Sequence, residues 1–222
     1  MLIYILGAIF LMGILLVIIR GSGQQGNNID EETLMIRVSE VQRYGAELEN
    51  AVRMIMQNGY SEADLRFAAT NAASSYGLIT DEPGRQVFSS EGGAARYRDP
   101  PAGIQSTVTP WVFNAKNVVS GIGTTMADSS AVDLIAILPN VTKDFCVAIN
   151  DKLGVINPSG DPPQDPTNAN VTDIFNGSYT YQYYLDGADV TSTTTPHTEA
   201  CFEGSGTPPA GTYHYYRVLL SR

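Results

Sequence analysis

Positive charge is scarce in this chain, and so are cysteine, histidine and tryptophan. Its 222 residues include 13 Lys or Arg against 23 Asp or Glu, a net charge of −10. No basic patch and no interleaving of basic with aromatic residues occurs, so nucleic acid is not an expected partner. The two histidines, His197 and His214, have no Cys, Ser or Asp at a catalytic spacing and read as surface residues. No P-loop, dinucleotide-binding or Gly-x-Ser-x-Gly motif is present, and Gly121-Ile122-Gly123 lacks the flanking strand and helix that would make it more than a turn. An enzyme is therefore not expected, and neither is a cofactor. Two cysteines with two widely spaced histidines do not make a zinc site. Cys146 and Cys201 read instead as one disulfide of an exported domain. Closing a loop of that size stabilises by roughly 4 kcal/mol through chain entropy.

Charge of either sign is missing from the first nineteen residues, Met1 to Ile19, which also lack Asn, Gln and Pro. As a helix this run is roughly 28 Å long, about one bilayer core. It is apolar on all sides and has no face to present to water. It needs lipid, or the same segment of other copies. A secretory signal would carry a basic leader and a small-x-small cleavage site. Here no Lys or Arg precedes the run and Arg20-Gly21-Ser22-Gly23 follows it. The expectation is a segment that belongs to the working protein, with Met1 as a processed N-terminus.

Residues 21–29 contain Gly21, Gly23 and Gly26, each costing about 1 kcal/mol in a helix relative to Ala, so this connector is expected to be non-helical or meltable. A second helix follows over 30–59, centred on Glu31 to Asn58. Its apolar positions Leu34, Val38, Val41, Leu48, Val52 and Ile55, with Gly45 between, alternate four and three apart. That stripe packs on the chain's own domain or on a neighbouring helix. Asn58-Gly59 ends it.

The rest, 60–222, reads as a globular α+β head. Ser61 and Asp64 form a capping box for an Ala-rich helix from Glu62 to Ser75. Loops follow to Gly103, with short strands at Gln86–Phe88 and Ala94–Arg98. Strands are then expected within Thr107–Phe113, Lys116–Val119 and Val132–Leu138, the last ended by Pro139. Trp111, the one tryptophan, belongs in the core. Asn140 or Thr142 caps a helix to Leu153, closed by Gly154, with Phe145, Ile149 and Leu153 on one face beside Cys146. The Tyr-rich runs Ser178–Leu185 and Thr212–Leu220 are expected in one antiparallel sheet, with a hairpin turn at Asp186-Gly187. The fold class is α+β: a hydrophobic then amphipathic N-terminal helix, broken by the Gly-rich connector and packed on a C-terminal antiparallel sheet with one disulfide.

In that order of parts the chain resembles type IV pilins and related pilin-like proteins. The likeness is carried by Met1–Ile19, the connector Gly21–Asn28, the amphipathic Glu31–Asn58 and a β domain closed by Cys146 and Cys201. It covers nearly the whole chain but rests on organisation rather than on one sharp motif. The resemblance implies that the N-terminal helices of many subunits bundle as a filament core, with Met1, Tyr4, Ile5, Gly7, Ala8 and Gly13 inside it. It implies an inner-membrane anchor before assembly, then an extracellular filament whose partners are other copies of the chain and a pilus assembly machinery. One departure is plain: pilins usually carry Glu at the fifth mature position, and here Ile5 stands there, with no acid before Asp30. The other reading is a single-pass anchored periplasmic or surface binding domain, with a secretion-system pseudopilin between the two.

Asp161, Asp165, Asn168 and Asp173 offer oxygen ligands for calcium, but with prolines among them and no EF-hand spacing a plain loop is expected. Three N-glycosylation patterns begin at Asn140, Asn170 and Asn176.

Overall fold

The computed structural model describes residues 25–70, 76–124, 127–165, 168–185 and 196–222. Met1, Tyr4, Ile5, Gly7, Ala8, Gly13, Gly21, Gly23 and the Asp186-Gly187 turn lie outside the described residues. Among the described residues no helix is long and apolar enough to cross a membrane.

The first helix, α1, runs Gln25–Gln57. It starts before Glu31 and takes in Gly26, Asn27 and Asn28, which the glycine count had placed in a connector expected to be non-helical or meltable. One glycine at about 1 kcal/mol is a weak objection to extending a helix already nucleated downstream. The helix stops where expected: Asn58 and Gly59 donate their N–H groups to the carbonyls of Met54 and Met56, and Gly59 has φ +92°. A compact unit begins at Arg37 and runs to Arg222, so most of α1 belongs to the head.

The Ala-rich helix does not form over 65–70. The Ser61–Asp64 capping pair is present, Asp64 accepting from the Ser61 N–H at 2.9 Å, but only one short turn, Glu62–Asp64, follows it. Leu65 and Phe67 are then fully buried in extended chain. Arg66 donates its N–H to Arg85 and accepts from Val87, a bridge that replaces the helical pairing. Burying Phe67 against Phe113, ring centroids 4.2 Å apart, overrides the alanines' propensity. Gln86 makes that bridge rather than starting a strand, and Ala94–Arg98 forms no strand either.

The sheet is five-stranded and mixed. β1 is Val112–Asn114, β2 Asn117–Val119, β3 Leu134–Val141, β4 Gln164–Asp165, β5 Tyr183–Leu185, β6 Glu199–Gly204 and β7 Tyr213–Leu220. The order is β1-β3-β7-β6-β4, antiparallel except where β4 runs parallel to β6. β3 continues through Pro139, which had been read as its end. Leu138 pairs with Tyr215 and Val141 with Tyr213, so the chain bulges at Pro139-Asn140, with Asn140 at φ +56°. A bulge is where a strand tolerates proline, because no ladder N–H is needed there. The two Tyr-rich runs do not share a sheet: β7 is central, whereas β5 pairs in parallel with β2 in a separate two-stranded sheet.

The second helix, α2, is Lys143–Leu153. Thr142 caps it by accepting from the Phe145 N–H, and Gly154 closes it at φ +74°. One sheet face carries Tyr215 and Cys201 toward the helices. The other buries Ile135, Ile137, Phe202, Tyr216 and Val218 against the loop residues Val155 and Val171 and against Leu185 of β5. β7 is buried on both faces, which fits its apolar run at both even and odd positions.

Candidate functional site

Four arrangements in the head carry its chemistry: the junction between α1 and the sheet, the bridge that ties α2 to β6, the buried carboxylate that holds Arg222, and a groove on the far side of β7 with no charged side chain among its described lining residues.

At the junction, Val38, Val41, Leu48, Val52 and Ile55 are all fully buried; Leu34 precedes the head, which begins at Arg37, and is half-buried. Tyr44 and Ala51 join the stripe, and Trp111 packs against both Tyr44 and Tyr215, at 5.4 and 6.1 Å between rings. Gly45 is needed for close approach: a Cβ there would lie 2.5 Å from the Arg217 Cδ. One turn along, Arg217 of β7 reaches back to α1. Its guanidinium donates to Glu49 at 2.9 Å and to Glu199 at 2.7 Å, while the Tyr215 hydroxyl donates to Glu199 at 2.8 Å. Burial pushes the Glu199 carboxyl up, against the pull of Tyr215 and Arg217. Burial alone would lower Arg217, but its bond to Glu49 and the charge of Glu199 raise it instead. Such a pair resists removal of one partner, which would strand a desolvated charge. Along the same helix Glu47 pairs with Arg98 at 2.6 Å, and Lys152 of α2 donates to Ser39 at 2.8 Å.

Cys146 of α2 and Cys201 of β6 form the disulfide, with Cα atoms 5.2 Å apart. Asn150, one helical turn beyond Cys146, is fully buried. Its amide donates to the Cys201 carbonyl at 2.9 Å and accepts from the Cys201 N–H at 2.8 Å. The amide thus takes the place of a neighbouring strand for that residue, so helix and strand are joined both covalently and by a matched pair of hydrogen bonds.

The C-terminus is held in the same way. Asp133 is fully buried and accepts from the N–H of Val119 at 2.8 Å and of Arg222 at 3.1 Å. Burial pushes its carboxyl up to about 7, past the opposing pull of those two donors and of the Arg222 charge. Arg222 pairs with Glu62 at 2.7 Å and lies over the Tyr179 ring.

The groove has a volume of about 250 Å³ and is lined by residues of the β3 bulge, of 168–172, of β5 and of the turn into β7. His214 forms part of its wall and is 2% exposed, not on the surface as its sequence context indicated. Burial lowers its pKa to about 4, so the ring is neutral at pH 7. His214 Nε2 lies 2.9 Å from the Thr212 hydroxyl, a spacing that invites a base–nucleophile reading. That hydroxyl gives its own proton to the Pro209 carbonyl at 2.6 Å. Nε2 must therefore be the donor, and the ring takes no proton from Thr212. Nδ1 is left as a buried acceptor with no hydrogen-bond partner among the described residues.

The oxygen-rich loop does not converge on a cation. Asp161 pairs with Lys143, Asp165 accepts from the Ala169 N–H at 2.8 Å and Asn168 from the Thr207 N–H at 3.0 Å. Among the described residues no group of three His, Cys, Asp or Glu side chains is placed to hold a metal ion. The Asn170 Oδ1 accepts from Asn114 and from the N–H groups of Thr172 and Asp173, while its Nδ2 donates to the Gln182 side chain at 3.1 Å; Asn176 is exposed.

No known protein family, curated protein or solved structure matches this chain.

Sequence reasoning missed Gln86, Asn114, Asn117, Asp133 and Asn150, all buried polar side chains that organise loops. Asp133 had one visible signal, a lone charge inside the apolar run Ala131–Leu138.

Proposed function

We propose that this chain is the structural subunit of an extracellular filament of the type IV pilin kind. It is held in the inner membrane by Met1–Ile19 before assembly and polymerises through that segment. Its partners are other copies of itself and the machinery that assembles them. The observation that supports this reading is the pairing of two features in one chain. An uncharged nineteen-residue run leads into α1, and α1 from Arg37 onward is built into a disulfide-closed head by a continuous buried stripe and the Glu49–Arg217–Glu199 pairs. Out of lipid, the apolar run has only its own copies to cover it, at roughly 1.5–3 kcal/mol for each large side chain buried. A contact repeated head to tail by one helix gives an open helical polymer.

The second reading, an anchored monomeric binding domain, draws on Ile5, which leaves no acid in the apolar segment to specify a neighbour, and on the groove behind β7. Negative-stain electron microscopy of material sheared from the source cells, with mass spectrometry of the same fraction, separates the two. Filaments containing this chain support the subunit. Recovery only from detergent-extracted membranes, with no polymer, supports the anchored domain. Gly7→Leu with Gly13→Leu is expected to abolish filaments while leaving the chain membrane-bound. Undiminished polymer would overturn the close-packed core.

A further inference from the structure

We propose that Asn176-Gly177 is a self-modification site, at which the chain slowly converts the Asn176 amide to a carboxylate through a cyclic imide. The reaction needs an exposed asparagine whose following backbone nitrogen is free to attack it. Glycine at that next position leaves the approach unhindered, because it has no Cβ. Asn-Gly occurs twice in the chain, at Asn58-Gly59 and Asn176-Gly177, and both asparagines are exposed. The fold treats the two glycine nitrogens differently. Gly59 closes α1 and donates its N–H to the Met56 carbonyl at 3.1 Å, so its nitrogen is committed to the helix end. The Gly177 N–H has no hydrogen-bond partner among the described residues.

The Asn176 amide is also set up as the electrophile. Its Oδ1 accepts from the Ser178 N–H at 3.2 Å, while its Nδ2 has no partner among the described residues. Phe175 and Thr180 anchor the turn on either side, donating their N–H groups to the carbonyls of Phe113 and Ala115 at 2.7 and 3.2 Å. The Gly177 nitrogen gives its proton to water and bonds to the Asn176 Cγ. Negative charge then collects on Oδ1, where the Ser178 N–H stabilises it. Nδ2 takes up a proton and leaves as ammonia, closing a five-membered imide. Water opens that ring at one carbonyl to give aspartate, or at the other to give isoaspartate, whose main chain runs through the side chain. One water enters and one ammonia leaves, with no oxidant or reductant. The product is a carboxylate, charged at neutral pH. It arises beside a close contact: a Cβ on Gly177 would lie 2.7 Å from the Arg66 Nη1 and 2.8 Å from the Ala63 carbonyl oxygen. The conversion therefore adds an anion one residue from a guanidinium, and isoaspartate lengthens the main chain where it packs closely.

The test holds the full chain in detergent micelles for days in mildly alkaline buffer made with ¹⁸O-water, and follows the peptides that carry each Asn-Gly pair by mass spectrometry. In the folded chain Asn176 is expected to convert about tenfold faster than Asn58, equivalent to about 1.4 kcal/mol. Each converted Asn176 is expected to gain one ¹⁸O, and an isoaspartyl methyltransferase is expected to methylate the isoaspartate fraction. In urea, where neither glycine nitrogen is held, the two rates are expected to converge. Asn176→Gln, whose longer side chain closes a larger ring with difficulty, is expected to remove the conversion at that position and leave Asn58 unchanged. The proposal is overturned if Asn176 stays intact in the folded chain, if Asn58 converts there as fast as Asn176, or if the same gap between them persists in urea. It is also overturned if the chain recovered from its cells carries a saccharide on Asn176, whose Asn-Gly-Ser pattern fits N-glycosylation as well.

Discussion

Two buried groups titrate in opposite senses, so their contributions to the pH profile of stability oppose each other, and single substitutions expose each one. The Asp133 carboxyl is pushed up from 3.8 to about 7. Between those values the folded chain keeps a proton that the unfolded chain gives up. Its stabilising contribution is complete below about pH 4 and is lost as pH rises through 7. At 1.36 kcal/mol per pH unit, the loss totals on the order of 4 kcal/mol. His214 is lowered from 6.5 to about 4. There the unfolded chain binds a proton that the folded chain refuses, so stability is complete above 6.5 and falls as pH drops through 4, by about 3 kcal/mol. From pH 4 to 6.5 the two slopes nearly cancel. Asp133→Asn is expected to uncover the histidine, so that relative to the parent chain it loses about 3 kcal/mol on going from pH 6.5 to 4. His214→Phe, which keeps a ring beside Phe202, is expected to uncover the aspartate, so that relative to the parent chain it loses about 3 kcal/mol from pH 4 to 6.5. Glu199 is also raised by burial and adds to the aspartate's slope, but it is present in every chain compared and drops out of the differences. The assay is urea unfolding in detergent micelles, followed by the fluorescence of Trp111, the one tryptophan, which is buried between Tyr44 and Tyr215. If each variant's profile runs parallel to that of the parent chain, these two groups do not carry the linkage and the reasoning is wrong.

Arg217→Ala strands Glu199 beside an empty guanidinium site. It is expected to cost about 3 kcal/mol in urea unfolding, with a coupling to Glu49→Gln that a double-mutant cycle detects. Gly93→Ala would put a Cβ 2.7 Å from the Val87 carbonyl oxygen and 2.8 Å from the Ala51 Cβ, against backbone on one side and α1 on the other. A loss of about 1–3 kcal/mol is expected, and an unchanged midpoint would refute the close approach. Cys146→Ser with Cys201→Ser is expected to lower stability by roughly 4 kcal/mol, read as a fall in the thermal midpoint that dithiothreitol reproduces in the parent chain.

The parts of the fold that were legible share one property: each is specified by residues close together in sequence. Thr142 and Gly154 mark the ends of α2 because a hydroxyl at one end and a positive φ at the other act within a turn. The four-and-three spacing from Val38 to Ile55 marks the buried stripe of α1 because helical faces repeat locally. What was not legible depends on partners far along the chain. The alanines after Asp64 favour a helix, but Phe67 finds Phe113, Phe88 and Phe175. Pro139 stays within a strand because the bulge opposite Tyr213 and Tyr215 removes the need for its missing N–H. The groove behind β7 had no sequence signature at all, since its walls come from four separated stretches of chain. His214 could have been placed inside from one cue: both neighbours, Tyr213 and Tyr215, and the apolar run Val218–Leu220 make a strand with no consistently polar face.

The buried stripe also bears on how copies of this chain can meet. A seam that alternates four and three serves equally well against another helix or against the chain's own sheet, and its spacing cannot choose. The structure assigns Val38, Val41, Leu48, Val52 and Ile55 to the head, each with essentially no surface left. Those side chains are spent, and a coiled coil between copies along that seam would have to strip α1 from β7, breaking the Glu49–Arg217 pair and uncovering Trp111. Any contact between copies through α1 must therefore use what the head leaves open. Ile36 is 55% exposed and Met54 45%, and both lie off the stripe. Ile36→Glu and Met54→Glu then distinguish the cases. In a filament whose α1 helices touch, they lower polymer yield without moving the urea midpoint of the head, because neither side chain belongs to the buried stripe. If both leave filament yield unchanged, contacts between copies through these positions of α1 do not carry the association.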